Sequence, residues 1–242
     1  MDAPLLKVSE VSKQFGGFAA LTGVSMEIGR AERFGLIGPN GSGKTTLINC
    51  ISGALRNDAG AIVFDGEDIS ALPAYQRTRR GIARSFQIPR PFSSMSVLEN
   101  LVVPLEYVLH RGSLHTADTR SEALEILRMV GLQDKAQTQS NRLTQVELRK
   151  LELARAMAAR PRLLISDESM AGLSGNEVDE VLAILRTLNE SGITIIMIEH
   201  IMQAVMRFSD RVMCLDAGRI IAIGAPDEVM ANQRVQEAYL GT

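Results

Sequence analysis

The chain has 242 residues, of which 45% are hydrophobic and 22% are charged, and its formal net charge is -2 at pH 7. That length can bury a full core, and the charge gives no electrostatic reason to expect a nucleic-acid partner. Cys50 and Cys214 lie far apart without metal-ligand spacing, so no metal-thiolate site is implied and buried thiols in a reducing compartment are expected.

The first third of the chain alternates β-prone runs with short helical stretches. The run at 32–38 precedes a Gly-rich turn and a helix that is predicted to end on Gly53. Further strands are predicted for LLKVSEV, AIVFDGEDI and IARSFQ, with a basic helical segment around AYQRTRRG. These runs predict an N-terminal β region followed by a strand, loop and helix unit.

The pattern changes from 96 to about 140, where apolar residues recur at helical spacing. Pro104 is expected to break or kink the first of these helices. We therefore predict an inserted helical sub-domain near 90–160 within a single domain that spans 1–242.

Strands and helices alternate again in the last third. The predicted elements are the helix VELRKLELARAMAA, the strand RLLIS, the helix NEVDEVLAILRTLNES, the strand ITIIMI, the helix HIMQAVMRFS and the strands RVMCLD and RIIAIG. Such alternation is typical of an α/β fold with a parallel sheet.

The N-terminal sequence MDAPLLKVSE has no basic segment followed by an apolar run. No apolar run approaches the roughly 18 residues that a membrane-spanning helix requires. We expect a cytoplasmic chain whose membrane contact is made through a partner.

The segment GPNGSGKTT at 38–46 matches the phosphate-loop pattern GxxxxGK[ST] between a predicted strand and a predicted helix. Its backbone amides and helix N-terminus suit the phosphates of ATP, Lys44 would reach the β and γ phosphates, and the Thr45 hydroxyl would bind Mg²⁺. The predicted nucleotide-binding residues here are Gly38, Asn40, Gly41, Ser42, Gly43, Lys44, Thr45 and Thr46. The alternative is a Gly-rich turn that matches by chance.

The run RLLISDES at 162–169 ends in two adjacent carboxylates where a core strand should emerge beside the phosphate loop. Asp167 is expected to hold Mg²⁺ and Glu168 to polarise the attacking water. The alternative is an acidic pair that only caps a helix.

Three further segments complete a family pattern: ARSFQ with Gln87, NRLTQVELRKLELARAM at 141–157, and IIMIEH with His200. With the phosphate loop and the acidic pair, the chain resembles ABC transporter ATPases over almost its full length. The resemblance implies that Gln87 contacts metal or water and senses the membrane subunit, and that His200 contacts the γ-phosphate. It also implies that Phe15 stacks on adenine, although a core phenylalanine remains the alternative.

The segments FGGFAALTGVS, GIARSFQIPRPFSSMSVLENL, EHIMQAVMRFSDRV and RVQEAYLG resemble the branched-chain amino acid group of bacterial ABC importers. That resemblance implies a dimeric, ATP-hydrolysing subunit bound to transmembrane permease subunits at the cytoplasmic face of the inner membrane. A periplasmic solute-binding protein would act on it indirectly. The expected fold is an α/β P-loop ABC ATPase with an N-terminal antiparallel β region and an inserted helical sub-domain.

The family signature LSGGQ, or LTYGEQ in the importer group, reads LTQVEL at 143–148. Thr144 keeps a hydroxyl, but the glycine that allows close approach to the partner's nucleotide is replaced by the β-branched Val146. We therefore favour pairing with a different ATPase subunit, which leaves one competent and one impaired site. A homodimer that tolerates Val146 is the alternative.

The altered signature also leaves a second function open, an ATP-binding regulatory ABC subunit with little or no turnover. Ser169 stands where proline is usual, and the following loop AGLS lacks the common aspartate. Arg79, Arg80 and Arg84 are interpreted as a solvated face.

Overall fold

The computed structural model describes residues 3–86, 89–109 and 116–240. Within these ranges the secondary-structure elements follow one another as β1 (Leu6–Phe15), β2 (Phe18–Ile28), β3 (Arg33–Ile37), α1 (Lys44–Ser52), β4 (Ala59–Phe64), β5 (Glu67–Asp68), α2 (Ala74–Arg79), β6 (Ile82–Ser85), α3 (Val97–Leu109), α4 (Thr116–Met129), α5 (Gln145–Met157), β7 (Leu163–Asp167), α6 (Gly175–Glu190), β8 (Thr194–Ile198), α7 (Met202–Phe208), β9 (Arg211–Asp216), β10 (Arg219–Gly224), α8 (Pro226–Ala231) and α9 (Gln233–Leu240). The strands and helices predicted from the sequence are confirmed. Strand β2 and the helices α8 and α9 were not predicted.

The N-terminal strands form an antiparallel sheet in the order β2-β1-β4-β5. Strand β1 pairs with β2 on one side and with β4 on the other, and both pairings are antiparallel. Its apolar residues Leu6, Val8 and Val11 are buried, so one face of this sheet packs inward. The predicted N-terminal antiparallel β region is therefore confirmed.

The central sheet has six strands in the order β10-β9-β3-β8-β7-β6, and its neighbouring strands from β9 to β6 are parallel. Every residue of β7 and β8 is buried, as expected for parallel strands covered on both faces. Because β3, β8 and β7 are neighbours, the segments that follow them meet at one edge of the sheet. That edge carries the phosphate loop, His200 and Asp167.

Apolar side chains of the central sheet pack into two hydrophobic cores, one on each face of the sheet. Ile196 and Ile198 point into a core shared with α1 and the antiparallel sheet. Ile195 and Met197 point into a second core shared with the long helices. Cys50 and Cys214 are buried free thiols, as predicted.

Pro104 lies inside α3 and does not end it, so of the two predicted effects a break of the helix does not occur, while a kink stays a prediction. Leu101 and Leu105, on either side of it, are completely buried. Their packing outweighs the roughly 3 kcal/mol that an interior proline costs a helix. Helices α3, α4 and α5 contact one another, but their separation as a sub-domain over 90–160 stays a prediction.

Across the part of the chain that the structure describes, none of the helices combines the length and the apolar character needed to cross a membrane.

Candidate nucleotide-binding site

The loop between β3 and α1 has a backbone that only glycine adopts without strain. Gly38 has φ 146° and Gly43 has φ 105°, both in the left-handed half of backbone space. A Cβ atom on Gly38 would lie 2.1 Å from the Leu215 carbonyl oxygen, and one on Gly43 would lie 2.7 Å from the Ala20 carbonyl oxygen. The glycine spacing read from the sequence is therefore a requirement of the fold around this loop.

The interior of the loop has the polar groups that an anion needs. The Lys44 ammonium is buried and donates hydrogen bonds to the carbonyl oxygens of Gly38 at 2.6 Å and Pro39 at 3.0 Å. Burial lowers the pKa of Lys44, and a bound phosphate would offset that desolvation. The buried Ser42 hydroxyl has no hydrogen-bond partner among the described residues. A buried cation and an unsatisfied hydroxyl fit a phosphate group at this position.

The acidic pair lies at the end of β7. Glu168 follows Asp167 directly and has φ 47°, a left-handed conformation that costs a non-glycine residue about 1–3 kcal/mol. Its amide donates to the Ile198 carbonyl oxygen at 2.9 Å, which holds the turn against β8. Its carboxylate atom Oε1 lies 2.8 Å from Nε2 of His200. The turn thus aims the carboxylate at the histidine that follows the neighbouring strand.

Asp167 is paired with Arg84 at the end of β6. Two guanidinium nitrogens of Arg84, Nε at 3.2 Å and Nη2 at 2.5 Å, donate to Oδ2 of Asp167. The third, Nη1, donates to the side-chain oxygen of Asn49 at 2.6 Å. Both charged side chains are only 12% exposed. The interpretation of Arg84 as part of a solvated face is therefore wrong. Its partner carboxylate lies on the neighbouring strand β7, which is distant in sequence.

One cleft joins the phosphate loop to Glu168 and His200. It is lined by Phe15, Phe18, Ala20, Asn40, Gly41, Ser42, Gly43, Lys44, Thr45, Thr46, Glu168 and His200. Phe15 is 47% exposed and Phe18 is 63% exposed, so two aromatic rings flank its entrance. The sequence singled out Phe15 but missed Phe18, although two phenylalanines around a Gly-Gly turn are a visible signal for a solvent-facing aromatic pair.

A neighbouring pocket brings Thr45 and Asp167 together, the two described residues expected to bind Mg²⁺. Its lining also includes Arg84, Glu152 and Glu168. Over 3–86, 89–109 and 116–240, no group of three or more His, Cys, Asp and Glu side chains is arranged to hold a metal. A nucleotide-bound Mg²⁺ needs fewer protein ligands, because it keeps waters and binds substrate phosphates together with one or two carboxylates. A hydroxyl and one carboxylate beside the phosphate loop fit that donor set.

Two predicted contacts, Thr144 and Val146, are absent from the lining of both pockets. Thr144 is exposed and caps α5: its hydroxyl accepts the Glu147 amide at 3.4 Å, while the Glu147 carboxylate accepts the Thr144 amide at 2.9 Å. Val146 is half-buried against the helical core. The signature segment therefore does not line the chain's own nucleotide cleft. Gln87 lies outside the described residues.

Glu199 is a carboxylate that sequence reasoning missed. It is buried directly after β8, and its Oε1 accepts the amide of Met170 at 2.9 Å. Burial is the largest cause that raises the pKa of Glu199 to about 7, and the Glu168 charge adds to it. An acidic residue between the mostly apolar strand β8 and His200 was the available signal.

Tyr239 in α9 is a second missed residue. Its hydroxyl accepts a hydrogen bond from the Gly38 amide at 2.7 Å. Burial raises the pKa of Tyr239 to about 12, so the phenol stays neutral. The C-terminal helix is thereby tied to the first glycine of the phosphate loop.

Family models match two parts of the chain. A model described as ABC transporter matches residues 21–171. A model described as branched-chain amino acid ATP-binding cassette transporter matches residues 219–242, which include α9 and Tyr239.

Whole-chain relatives agree with those matches. The high-affinity branched-chain amino acid transport ATP-binding protein BraF of Pseudomonas aeruginosa is 37% identical, and the alignment covers 100% of this chain and 99% of the relative. LivG of Escherichia coli, described in the same words, is 39% identical over the same shares.

Solved structures of the same class superpose closely. A nucleotide-free ATP-binding cassette from an ABC transporter gives a TM-score of 0.90 at 30% identity, covering 99% of this chain and 100% of that chain. A dimeric bacterial ABC transporter cassette gives a TM-score of 0.82 at 26% identity, covering 91% of this chain and 98% of that chain.

Proposed function

This chain belongs to the ABC transporter family of ATP-binding cassettes, and we propose that it hydrolyses ATP to power an importer of branched-chain amino acids or related small solutes. The carrying observation is the single cleft in which the phosphate loop, Glu168 and His200 meet. The solute class is supported by the C-terminal family match and by relatives of nearly equal length. A peripheral position at the cytoplasmic face of the inner membrane, against permease subunits, follows from that role.

The residues of the cleft divide the work of binding and hydrolysis. The amides of the phosphate loop and the Lys44 ammonium bind the phosphates of ATP, and Phe15 stacks on adenine. Thr45 and Asp167 hold Mg²⁺, which neutralises the charge that develops on the phosphates. Glu168 orients and polarises the attacking water. His200 lies beside Glu168 and contacts the γ-phosphate.

The role of Gln87 rests on the family resemblance alone. It stands two residues after β6, the strand that carries Arg84. In this proposal it contacts metal or water and senses the permease.

The second half of each nucleotide site comes from another ATPase subunit. Thr144 is exposed and Val146 is half-buried at the start of α5, both outside the chain's own cleft, and in this proposal they face a partner's nucleotide. Val146 brings a β-branched side chain where close backbone approach is needed. We favour a heterodimer in which the chain's own phosphate loop pairs with an intact signature on the partner subunit. A homodimer is the outcome that would put Val146 at both sites.

The remaining partners follow from the importer role. The helices near 90–160 form the sub-domain that moves against the P-loop core on dimer closure, and the permease transmits that motion. A periplasmic solute-binding protein acts indirectly through the permease. No nucleic-acid partner is proposed.

Uptake of solute by the reconstituted importer tests this proposal. Proteoliposomes that contain the permease, the second ATPase subunit and this chain should accumulate radiolabelled leucine only with internal ATP and external binding protein. Lys44→Ala in this chain should abolish uptake, while Lys7→Ala, at an exposed lysine on β1, should not change it. Uptake that persists with Lys44→Ala, or an assembly that moves no branched-chain amino acid or related solute, would refute the assignment.

A further inference from the structure

The guanidinium group of Arg84 ties together two elements of the nucleotide site. Through Asp167 it holds the end of β7, and through Asn49 it holds α1, the helix that begins at Lys44. The phosphate loop and the acidic strand end are thereby linked by one side chain from a third element, β6.

The pairing is asymmetric at the carboxylate. Both hydrogen bonds from Arg84 end on Oδ2 of Asp167, so this contact leaves Oδ1 for another ligand. A guanidinium fork with two donors on one oxygen restrains the rotation of the carboxylate. Arg84 therefore determines the direction in which Oδ1 of Asp167 points. Thr45 lines the same pocket as Asp167 and Arg84.

Burial makes this restraint strong. Each of the two charged side chains is 12% exposed, so removing the guanidinium would leave a carboxylate without its paired charge in a desolvated place. Phe86 packs under the guanidinium carbon, with 5.2 Å between that carbon and the ring centroid. The arginine is thus fixed on both its charged and its apolar side.

We propose that Arg84 is a positioning residue for the magnesium ion of the nucleotide site: it orients Asp167 so that Oδ1 meets the metal, while Asn49 keeps that orientation in register with the phosphate loop. The inference rests on the proposed role of Asp167. Groups that orient a metal ligand in this way typically change metal affinity by about 10–100-fold when removed.

A purely structural ion pair predicts a different result. Loss of such a pair would loosen the whole site, so ATP binding would weaken equally with and without Mg²⁺. A positioning role weakens the metal-dependent part of binding more than the metal-free part. The ratio of the two affinities therefore separates the roles.

The experiment measures ATP binding to the purified chain by calorimetry, once with EDTA and once across a Mg²⁺ titration. Arg84→Gln should raise the Mg²⁺ concentration at half-saturation by about 10-fold, a larger effect than its weakening of ATP binding with EDTA, where only the lost positive charge acts. Arg84→Lys keeps the charge without the fork and should fall between that variant and the native chain. Arg56→Gln, at an exposed arginine just beyond α1, is the matched control and should change neither value.

A second variant covers the case in which Arg84→Gln does not fold. Asn49→Ala leaves the Arg84–Asp167 ion pair intact and removes the hydrogen bond that links Arg84 to α1. It should raise the Mg²⁺ concentration at half-saturation by about 3-fold, as expected for one lost hydrogen bond. Thermal melting without nucleotide identifies which variants are folded. Equal weakening with and without Mg²⁺, or no change in any folded variant at these two positions, would overturn the inference.

Asp167→Asn distinguishes this inference from the proposed function. If it abolishes the Mg²⁺-dependent gain while the Arg84 variants keep it, only the positioning role of Arg84 is wrong. If it also keeps that gain, the metal-binding role of Asp167 fails, and the inference fails with it.

Discussion

The carboxylate of Glu168 and the imidazole of His200 are joined across two neighbouring strand ends, with 2.8 Å between Oε1 and Nε2. Asp167 on β7 lies in register with Ile198 on β8, so the residues that follow these strands meet. His200 therefore has two tasks in the proposed site. We expect it to contact the γ-phosphate and to restrain the carboxylate that is proposed to polarise water.

Replacing His200 with alanine should remove both tasks. We expect turnover in the assembled complex to fall by about 100-fold, the typical cost of losing one donor at a developing charge, with ATP affinity changed much less. His200→Gln retains a side-chain donor and should recover part of the rate. Gln203→Ala on the exposed face of α7 is the control. Equal turnover of His200→Ala and the native chain would remove His200 from the catalytic set.

Tyr239→Phe tests the link between α9 and the phosphate loop. Without the phenol oxygen the Gly38 amide loses its acceptor, and a lost hydrogen bond is worth about 0.5–1.5 kcal/mol. We expect the loop to be less well ordered and ATP affinity, measured by calorimetry, to fall by about 2–10-fold. Tyr107→Phe, at an exposed tyrosine on α3, should leave affinity unchanged. Tighter ATP binding by Tyr239→Phe would mean that the phenol competes with the nucleotide.

Val146→Gly tests the impaired half of the proposed dimer. Removing the β-branched side chain should let the start of α5 approach the partner's nucleotide, which raises turnover of the assembled complex by about 10-fold, or about 1.4 kcal/mol of barrier. Val146→Ala keeps a Cβ atom and should give a smaller gain. An unchanged rate in both variants would show that the native signature already functions.

Glu199 should make the free energy of unfolding depend on pH. Its pKa is about 7 in the folded chain against its ordinary value of 4.5, so the folded state binds more protons than the unfolded state between these two pH values. Its contribution to stability is complete below about pH 4.5 and is lost as the pH rises through 7. Other titratable or charged groups near Glu199 are Glu168, Arg149 and His200.

Glu199→Gln removes this titration and keeps an oxygen for the Met170 amide. Between pH 5 and pH 8, the free energy of unfolding of the native chain should fall by about 2 kcal/mol relative to this variant. Urea unfolding at both pH values measures the difference, with Glu125→Gln at an exposed position of α4 as control. Parallel pH profiles for the native chain and Glu199→Gln would contradict the raised pKa.

The phosphate loop and the acidic pair could be predicted because each consists of residues that are contiguous in the sequence. The glycine spacing at 38–43 reflects local backbone geometry, and a fully buried strand ending in two carboxylates is legible as a pattern. A parallel sheet also places the carboxyl ends of its neighbouring strands at the same edge, so the two segments were expected to lie near each other.

The partners of these residues could not be predicted in the same way. Arg84 and Asp167 are 83 residues apart, and Tyr239 and Gly38 are 201 residues apart. Nothing local to Arg84 distinguishes it from its solvated neighbour Arg79, because burial is decided by the strand order. The continuation of α3 through Pro104 could not be read from the local sequence for a related reason, since tertiary packing on both sides of the proline overrides its local cost.

The most direct test is ATP turnover by the purified chain, alone and assembled with its permease and second ATPase subunit, with Glu168→Gln as the inactive reference. The proposed ATPase function predicts weak turnover by the chain alone, strong turnover in the assembly that rises with loaded binding protein, and loss of about 10²–10⁴-fold in the reference while ATP is still bound. ATP binding without turnover in every assembly would contradict it and would identify the chain as a regulatory subunit.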